Sequence, residues 1–152
     1  MGLVYEGIEL CKKEGVDFIL AVGGGSAIDS AKAIGYGAVN EGDVWDFYDY
    51  KRQPSRCLPI GVVLTIAATG SEMSDSSVIT KEDGWIKRGY SNDLSRPKIC
   101  SHEPGSHKNT SRLPDSLRVY GYPHAHHGAV LHKRRQHGNN GQHGGSTDAH
   151  RH

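Results

Sequence analysis

Asp17-Phe18-Ile19-Leu20-Ala21-Val22-Gly23-Gly24-Gly25-Ser26-Ala27-Ile28-Asp29-Ser30-Ala31-Lys32-Ala33-Ile34 is the stretch on which the fold turns. Residues 17–22 form a short, nearly continuous apolar run, the signature of a parallel strand buried on both faces. Three glycines then break it. Ser26 to Tyr36 reads as a helix, because Ile28, Ala31, Ala33 and Ile34 make a narrow apolar face whose alanines allow close packing on a sheet. Ser26 is the expected N-cap. Asp29, three residues on, comes close to a capping box, with Asp in place of the usual Glu.

The flanks repeat the alternation. Upstream, Val4, Ile8 and Cys11 recur at helical spacing, and Gly15 closes that helix as a C-cap glycine does. Downstream, a polar loop from Asn40 to Arg56 carries the aromatic set Trp45, Phe47, Tyr48 and Tyr50. Leu58 to Leu64 is a second buried strand, followed by Thr65-Ile66-Ala67-Ala68-Thr69-Gly70-Ser71-Glu72. Val78-Ile79-Thr80 and Trp85-Ile86-Lys87-Arg88 flank an Asp-Gly turn and predict a hairpin. Helix–strand–helix–strand order with glycines after the strand predicts an α/β fold with a parallel, Rossmann-like sheet.

Composition divides the 152-residue chain in two. Residues 1–98 hold 11 Lys and Arg against 14 Asp and Glu, and all but 12 of the hydrophobic residues. Residues 99–152 hold all 10 histidines, no Phe, Trp or Met, and no lasting period of 2 or 3.6. Such a stretch buries too little apolar surface to offset its conformational entropy. The expectation is therefore an α/β domain over 1–98 and a disordered or non-native His/Gly-rich tail over 99–152. A net charge of +1 gives no general electrostatic case for nucleic acid or an anionic membrane. Cys11, Cys57 and Cys100 are odd in number and far apart, which argues against a disulfide framework or structural zinc and for a reducing cytoplasm. No signal pattern and no apolar run of membrane-spanning length occurs.

A strand ending in Gly23-Gly24-Gly25-Ser26 with a helix starting at once has the chemistry of a phosphate cradle. Glycines remove the Cβ atoms that would hold backbone N–H groups away from a pyrophosphate, and the helix start directs partial positive charge at it. The pattern is neither the dinucleotide G-x-G-x-x-G nor a P-loop. Three glycines alone fit a merely tight strand–helix turn equally well.

The longer string, residues 23–34, resembles the GGGSxxDxAK motif of the iron-containing alcohol dehydrogenases. Leu58-Pro59-Ile60 through Thr69-Gly70-Ser71-Glu72-Met73-Ser74, then Ser77 to Thr80, is similar to that family's next block. Residues 41–48 resemble its butanol-dehydrogenase-like branch. The resemblance covers about residues 4–98 and implies that 1–98 is a partial dinucleotide-binding α/β domain. It implies NAD(P)-dependent interconversion of primary alcohols and aldehydes, a divalent Fe²⁺ or Zn²⁺ ion, and homo-oligomers. It also places Gly24, Gly25, Ser26 and Asp29 at the coenzyme pyrophosphate, Thr65 and Thr69 beside the nicotinamide, and Lys87 at a phosphate or ribose. The plainer readings stay open: Asp29 as a helix cap, Thr65 as a strand end, Lys87 as a solvated lysine. The family fold has a strand–helix unit before the point where this chain begins, so an unpaired sheet edge is expected. NAD-versus-NADP preference, set in that unit, is not readable here.

The resemblance also implies an Asp-x-x-x-His metal-ligand segment after the coenzyme domain, and none stands in frame where it is expected. The cluster His124, His126 and His127, with His132 and His137, suggests adventitious metal binding by imidazole. A one-base shift accounts for more. Synonymous codons for Ile99–Pro104 read one base later spell Phe-Ala-Leu-Met-Asn-Pro. Those for Gly121–Gly128 spell Asp-Ile-Leu-Met-His-Thr-Met-Glu, the family's metal-ligand segment. The expected product is thus an inactive fragment whose tail is frameshifted near the Lys98 codon. The rival readings are a stand-alone nucleotide-binding module with a metal-binding tail, and an α/β fragment with no ligand. Sequencing the gene across that codon is expected to reveal the second reading; codons that do not encode it in another frame reject the shift.

Overall fold

The computed structural model describes residues 1–66, 68–102, 117–121 and 128–132. Helix α1 (Gly2–Glu14) buries Val4, Gly7, Ile8 and Cys11, and ends at Gly15 with φ 61°, the left-handed cap its sequence predicts. Strand β1 (Phe18–Gly23) runs into helix α2 (Gly25–Val39). A one-turn helix α3 (Trp45–Tyr48) interrupts the loop before strand β2 (Ile60–Leu64). Strands β3 (Ser76–Lys81) and β4 (Ile86–Ser91) form the expected antiparallel hairpin, with Gly84 at φ 77° in its turn. Strands β5 (Ile99–His102), β6 (Leu117–Gly121) and β7 (Gly128–His132) complete the described elements.

The main sheet has the order β5-β2-β1-β7-β6. β1, β2 and β5 are mutually parallel, as the α/β pattern predicts, whereas β7 and β6 run antiparallel. The free edge expected beside β1 is therefore covered, because β7 pairs with Phe18–Val22. Of residues 99–152, three runs are strands, so the ordered sheet continues past Lys98. The other residues of that stretch, including His124, His126, His127 and His137, lie outside the described ones, and the expectation of irregularity falls on them.

One expectation about β1 needs correction. Ile19, Ala21 and Gly23 are buried, but Phe18, Leu20 and Val22 on the other face are only half-buried. The reason is that the described helices that make the core pack on a single face. There Ile19, Ala21, Ile60, Val62 and Leu64 of the strands meet Ile28, Ala31 and Ile34 of α2, and Val4, Ile8 and Cys11 of α1. Of the aromatic residues in the polar loop, Trp45, Phe47 and Tyr48 are core, whereas Tyr50 is exposed. Tyr36, Tyr48 and Tyr50 have ring centroids 5.8, 5.9 and 5.7 Å from that of Tyr90, and Phe47 stands beside them.

The two helices approach through a reciprocal exchange. The side chain of Ile34 fills the space where a Cβ on Gly7 would lie, and that of Ile8 fills the space beside Gly37. A Cβ on Gly37 would come within 2.7 Å of Ile8 Cγ1. Gly37→Ala gains about 1 kcal/mol of helix propensity, but overpacking costs about 1–3 kcal/mol. Net destabilisation of about 1 kcal/mol in urea unfolding is expected, and less in an Ile8→Ala background, where the colliding atoms are gone.

Candidate functional site

Because β1 and β2 are parallel neighbours, their C-terminal ends lie side by side, and the Thr65 amide donates to the Gly23 carbonyl at 3.1 Å. The chain turns from Gly23 into α2 at this edge. The helix starts one residue earlier than expected: Gly24, at φ −95° and ψ −166°, is the N-cap and carries no side-chain cap. Its carbonyl accepts from the Ala27 and Ile28 amides at 3.1 and 3.2 Å. Ser26 is thus a first-turn residue, not the cap, and the predicted capping box does not form. The amides of Gly25 and Ser26 have no intrahelical acceptor, and the helix dipole places about half a positive charge there.

A cleft of about 440 Å³ opens against this turn, lined by Gly25, Ser26, Asp29, Thr69, Ser71, Ser74, Ser76, Val78, Thr80 and Lys87. The Thr69 side chain sits where a Cβ on Gly25 would be, so glycine is required for this approach. Thr69 Oγ1 also donates to Ser71 Oγ at 3.1 Å. Lys87, exposed on β4, adds a cation to the opposite wall. The lining is hydroxyl-rich, with positive charge at two sides and a backbone cradle between, chemistry suited to an oxyanion carried by a hydroxylated ligand.

Asp29 does not cap its own helix. Its Oδ2 accepts from the Val78 amide at 3.1 Å and so pins β3 to α2. Among the described residues its Oδ1 is buried without a hydrogen-bond partner, as is Thr65 Oγ1. Burial raises the Asp29 carboxyl above the usual carboxylate range; the Val78 N–H, the Ser71 hydroxyl, and the charges of Lys32 and Lys87 pull the other way. An orphaned oxygen among cleft residues is an acceptor awaiting a donor.

Of the seven residues singled out in the sequence, Gly25, Ser26, Asp29, Thr69 and Lys87 line one cleft. Gly24 stands next to it as the N-cap, and Thr65 lies at the adjoining strand end, outside the lining. Sequence reasoning did not single out Ser71 and Ser74, which precede the hairpin, or Ser76, Val78 and Thr80, which reach the cleft on its first strand. It also missed Lys32. That residue lies four positions from both Ile28 and Tyr36, on the apolar face of α2, and a lysine in an apolar stripe is a signal in itself.

The profile of the family described as iron-containing alcohol dehydrogenase matches residues 2–104. This chain belongs to the iron-containing alcohol dehydrogenase family. It is 47% identical over 118 residues to a probable NADH-dependent butanol dehydrogenase of Bacillus subtilis (strain 168), covering 78% of this chain and 30% of that protein. The structure of an NADH-dependent butanol dehydrogenase A from Thermotoga maritima superposes with a TM-score of 0.65 at 48% identity, over 66% of this chain and 25% of that one. A sulfoacetaldehyde reductase from Bifidobacterium kashiwanohense, solved in complex with NAD+, gives 0.63 at 30% identity, over 66% and 27%. The chain thus spans between a quarter and a third of the length of these relatives. Within the family it falls in the butanol-dehydrogenase-like branch.

Among the described residues no group of three His, Cys, Asp or Glu is placed to hold a metal ion. No step through a metal is derived from them. No helix among them is long and apolar enough to cross a membrane.

Asp29 offers a direct test of the cleft's electrostatics. Its raised carboxyl means that the folded protein holds this proton more tightly than the unfolded chain. Stability from this group is therefore greatest in acid and declines as pH rises from the ordinary carboxylate value through the raised one. Asp29→Asn keeps an acceptor for the Val78 amide and removes the titration. The urea midpoint of the variant relative to wild type is expected to climb as pH rises past the ordinary carboxylate value; a difference that is flat with pH would show that burial exerts no such effect.

Proposed function

We propose that residues 1–98 are part of the coenzyme-binding domain of an iron-type, NADH-dependent alcohol dehydrogenase, and that the cleft beside Gly25 receives the pyrophosphate of the coenzyme. The observation that carries this reading is the convergence of Gly25, Ser26, Thr69 and Lys87 around the start of α2. The backbone of Gly24 to Ser26 and the helix start would hold the phosphates. Lys87 would neutralise them from β4, and Asp29 Oδ1 would accept from a hydroxyl or amide donor of the same ligand. Thr65 and Thr69 would bound the nicotinamide side. NADH supplies a hydride when bound; the protein's part is to orient the dinucleotide and exclude water.

The names of the relatives favour NADH over NADPH. In the whole protein the proposed reaction is reversible hydride transfer with a primary alcohol or aldehyde, in the cytoplasm, assisted by iron, with zinc as the alternative ion, in a homo-oligomer. The division near Lys98 is supported by the family match ending at residue 104. The 152-residue chain, whose described residues assemble no metal ligands, is proposed to bind coenzyme without turning over alcohol.

Titration followed by nicotinamide fluorescence checks this. Saturable binding of NADH, weaker binding of NADPH, and no reduction of NAD+ by butanol in the presence of Fe²⁺ or Zn²⁺ are expected. Absence of NADH binding removes the coenzyme reading. Turnover by this chain removes the inactive-fragment reading.

A further inference from the structure

The cleft has a wall that the glycine turn does not make, and one buried cation holds its inner side. Lys32, on α2, has no exposed surface. Its Nζ donates to the carbonyls of Ser71, Ser74 and Ser76 at 2.8, 2.8 and 2.7 Å. An ammonium has three N–H donors and no acceptor, so these three carbonyls complete its hydrogen-bonding capacity. Two come from the segment between β2 and β3 and the third from the first residue of β3, and Ser71, Ser74 and Ser76 themselves line the cleft.

The outer side of the same segment is fastened separately. Arg96 Nη1 donates to the Met73 carbonyl at 2.6 Å, and the Asn92 amide and Ser95 hydroxyl donate to the Asp75 carbonyl, each at 3.1 Å. The inner carbonyls face α2, where Lys32 is the donor that meets them. Without it, one buried and two half-buried carbonyls would lose their charged donor and turn toward water, the Ser76 carbonyl keeping a long bond from the Ser74 hydroxyl at 3.5 Å. The wall would then move away from the helix start.

We propose that Lys32 is a positioning residue for the coenzyme: its ammonium fixes Ser71–Ser76 at the separation from the α2 N-terminus that a dinucleotide pyrophosphate requires. The proposal rests on the reading of the cleft as the NADH site. It does not require Lys32 to touch the ligand, which its saturated donors forbid. It also distinguishes the two lysines that face this region. Lys87 lies at the surface and can move to a phosphate, whereas Lys32 is spent on the protein.

The test uses the whole 152-residue chain. In Lys32→Met, which keeps length but donates nothing, amide hydrogen exchange across residues 69–76 is expected to accelerate, while β1 and β2 keep their protection. The dissociation constant for NADH is expected to rise by at least about tenfold. A variant with unchanged NADH affinity, or with unchanged exchange at 69–76, overturns the proposal. If wild type fails to bind NADH yet the variant loosens the wall, the coenzyme reading falls and the structural role of Lys32 stands. Because a buried substitution can prevent folding, a second measurement is made on the wild type. With ¹⁵N-labelled lysine, the Lys32 ammonium is expected to give a slowly exchanging resonance that shifts as NADH saturates the cleft. A resonance in fast exchange with water, or one unmoved by saturating NADH, also overturns the proposal.

Discussion

Helix α2 is enclosed on every side, and the rest of the structure follows from that. Residues 31–37 are all buried. The helix rests on β1 and β2, is flanked by α1, and is covered by β3. A helix so surrounded has no solvent face for large polar side chains, which accounts for Ala27, Ala31, Ala33, Gly35 and Gly37 along its length. Each neighbour it draws in also brings a part of the cleft. β1 delivers the glycine turn, the segment after β2 delivers Thr69 and Ser71, and β3 delivers Val78 and Thr80. The geometry of the cleft is the geometry of α2 packing.

Two charges remain in that enclosure, three residues apart on the same helix, and burial acts on them in opposite senses. It lowers the Lys32 ammonium and raises the Asp29 carboxyl, while the charge of each opposes the shift of the other. Removing charges from water is costly unless hydrogen bonds replace the lost hydration. Lys32 has that replacement in full, from three carbonyls. Asp29 has it in part, one oxygen taking the Val78 amide and the other without a hydrogen-bond partner among the described residues. The incomplete half of the pair belongs to a residue that lines the cleft. Stability and binding are therefore linked here: a donor arriving on a ligand would complete a hydrogen-bonding shell that folding leaves open.

The strand–turn–helix unit was legible because its signals are local. An apolar run, a glycine break and a 3.6-residue stripe each act over fewer than about a dozen residues. The hairpin was legible for the same reason, through its Asp-Gly turn. The cap was misassigned because Ser26 has the right chemistry, while backbone conformation decides the cap, and Gly24 is the extended residue. The polar loop gave no sign of what its aromatic set packs against: Phe47 and Tyr48 are buried against Tyr90, which comes some forty residues later. Half-burial of Phe18, Leu20 and Val22 was not legible at all. An apolar run reports that a strand can be covered on both faces, not that both covers are present. Gly25, Ser26, Asp29, Thr69 and Lys87 were named through family resemblance, and the lysine that spaces them was passed over. Its three partners are main-chain carbonyls, which no side-chain pattern encodes.

The position of the cleft owes less to its residues than to the direction of two strands. A β-strand, a helix and a parallel neighbour bring the C-terminal ends of both strands to the same sheet edge, and ligands of open α/β sheets bind at such edges. Gly23 and Leu64 pair in register, so the segments that follow them, starting some forty residues apart, emerge as neighbours. β7 pairs with β1 in the opposite direction on its other side, and its first residue, Gly128, faces Val22. An antiparallel strand can occupy that side without altering the crevice between β1 and β2, because the crevice needs only its two parallel walls. Residue identity acts afterwards. Glycine at 25 admits Thr69, hydroxyls clothe the walls, and Lys32 sets the distance between them. Topology places a cleft here, and those few side chains set its shape and its hydroxyl-rich lining.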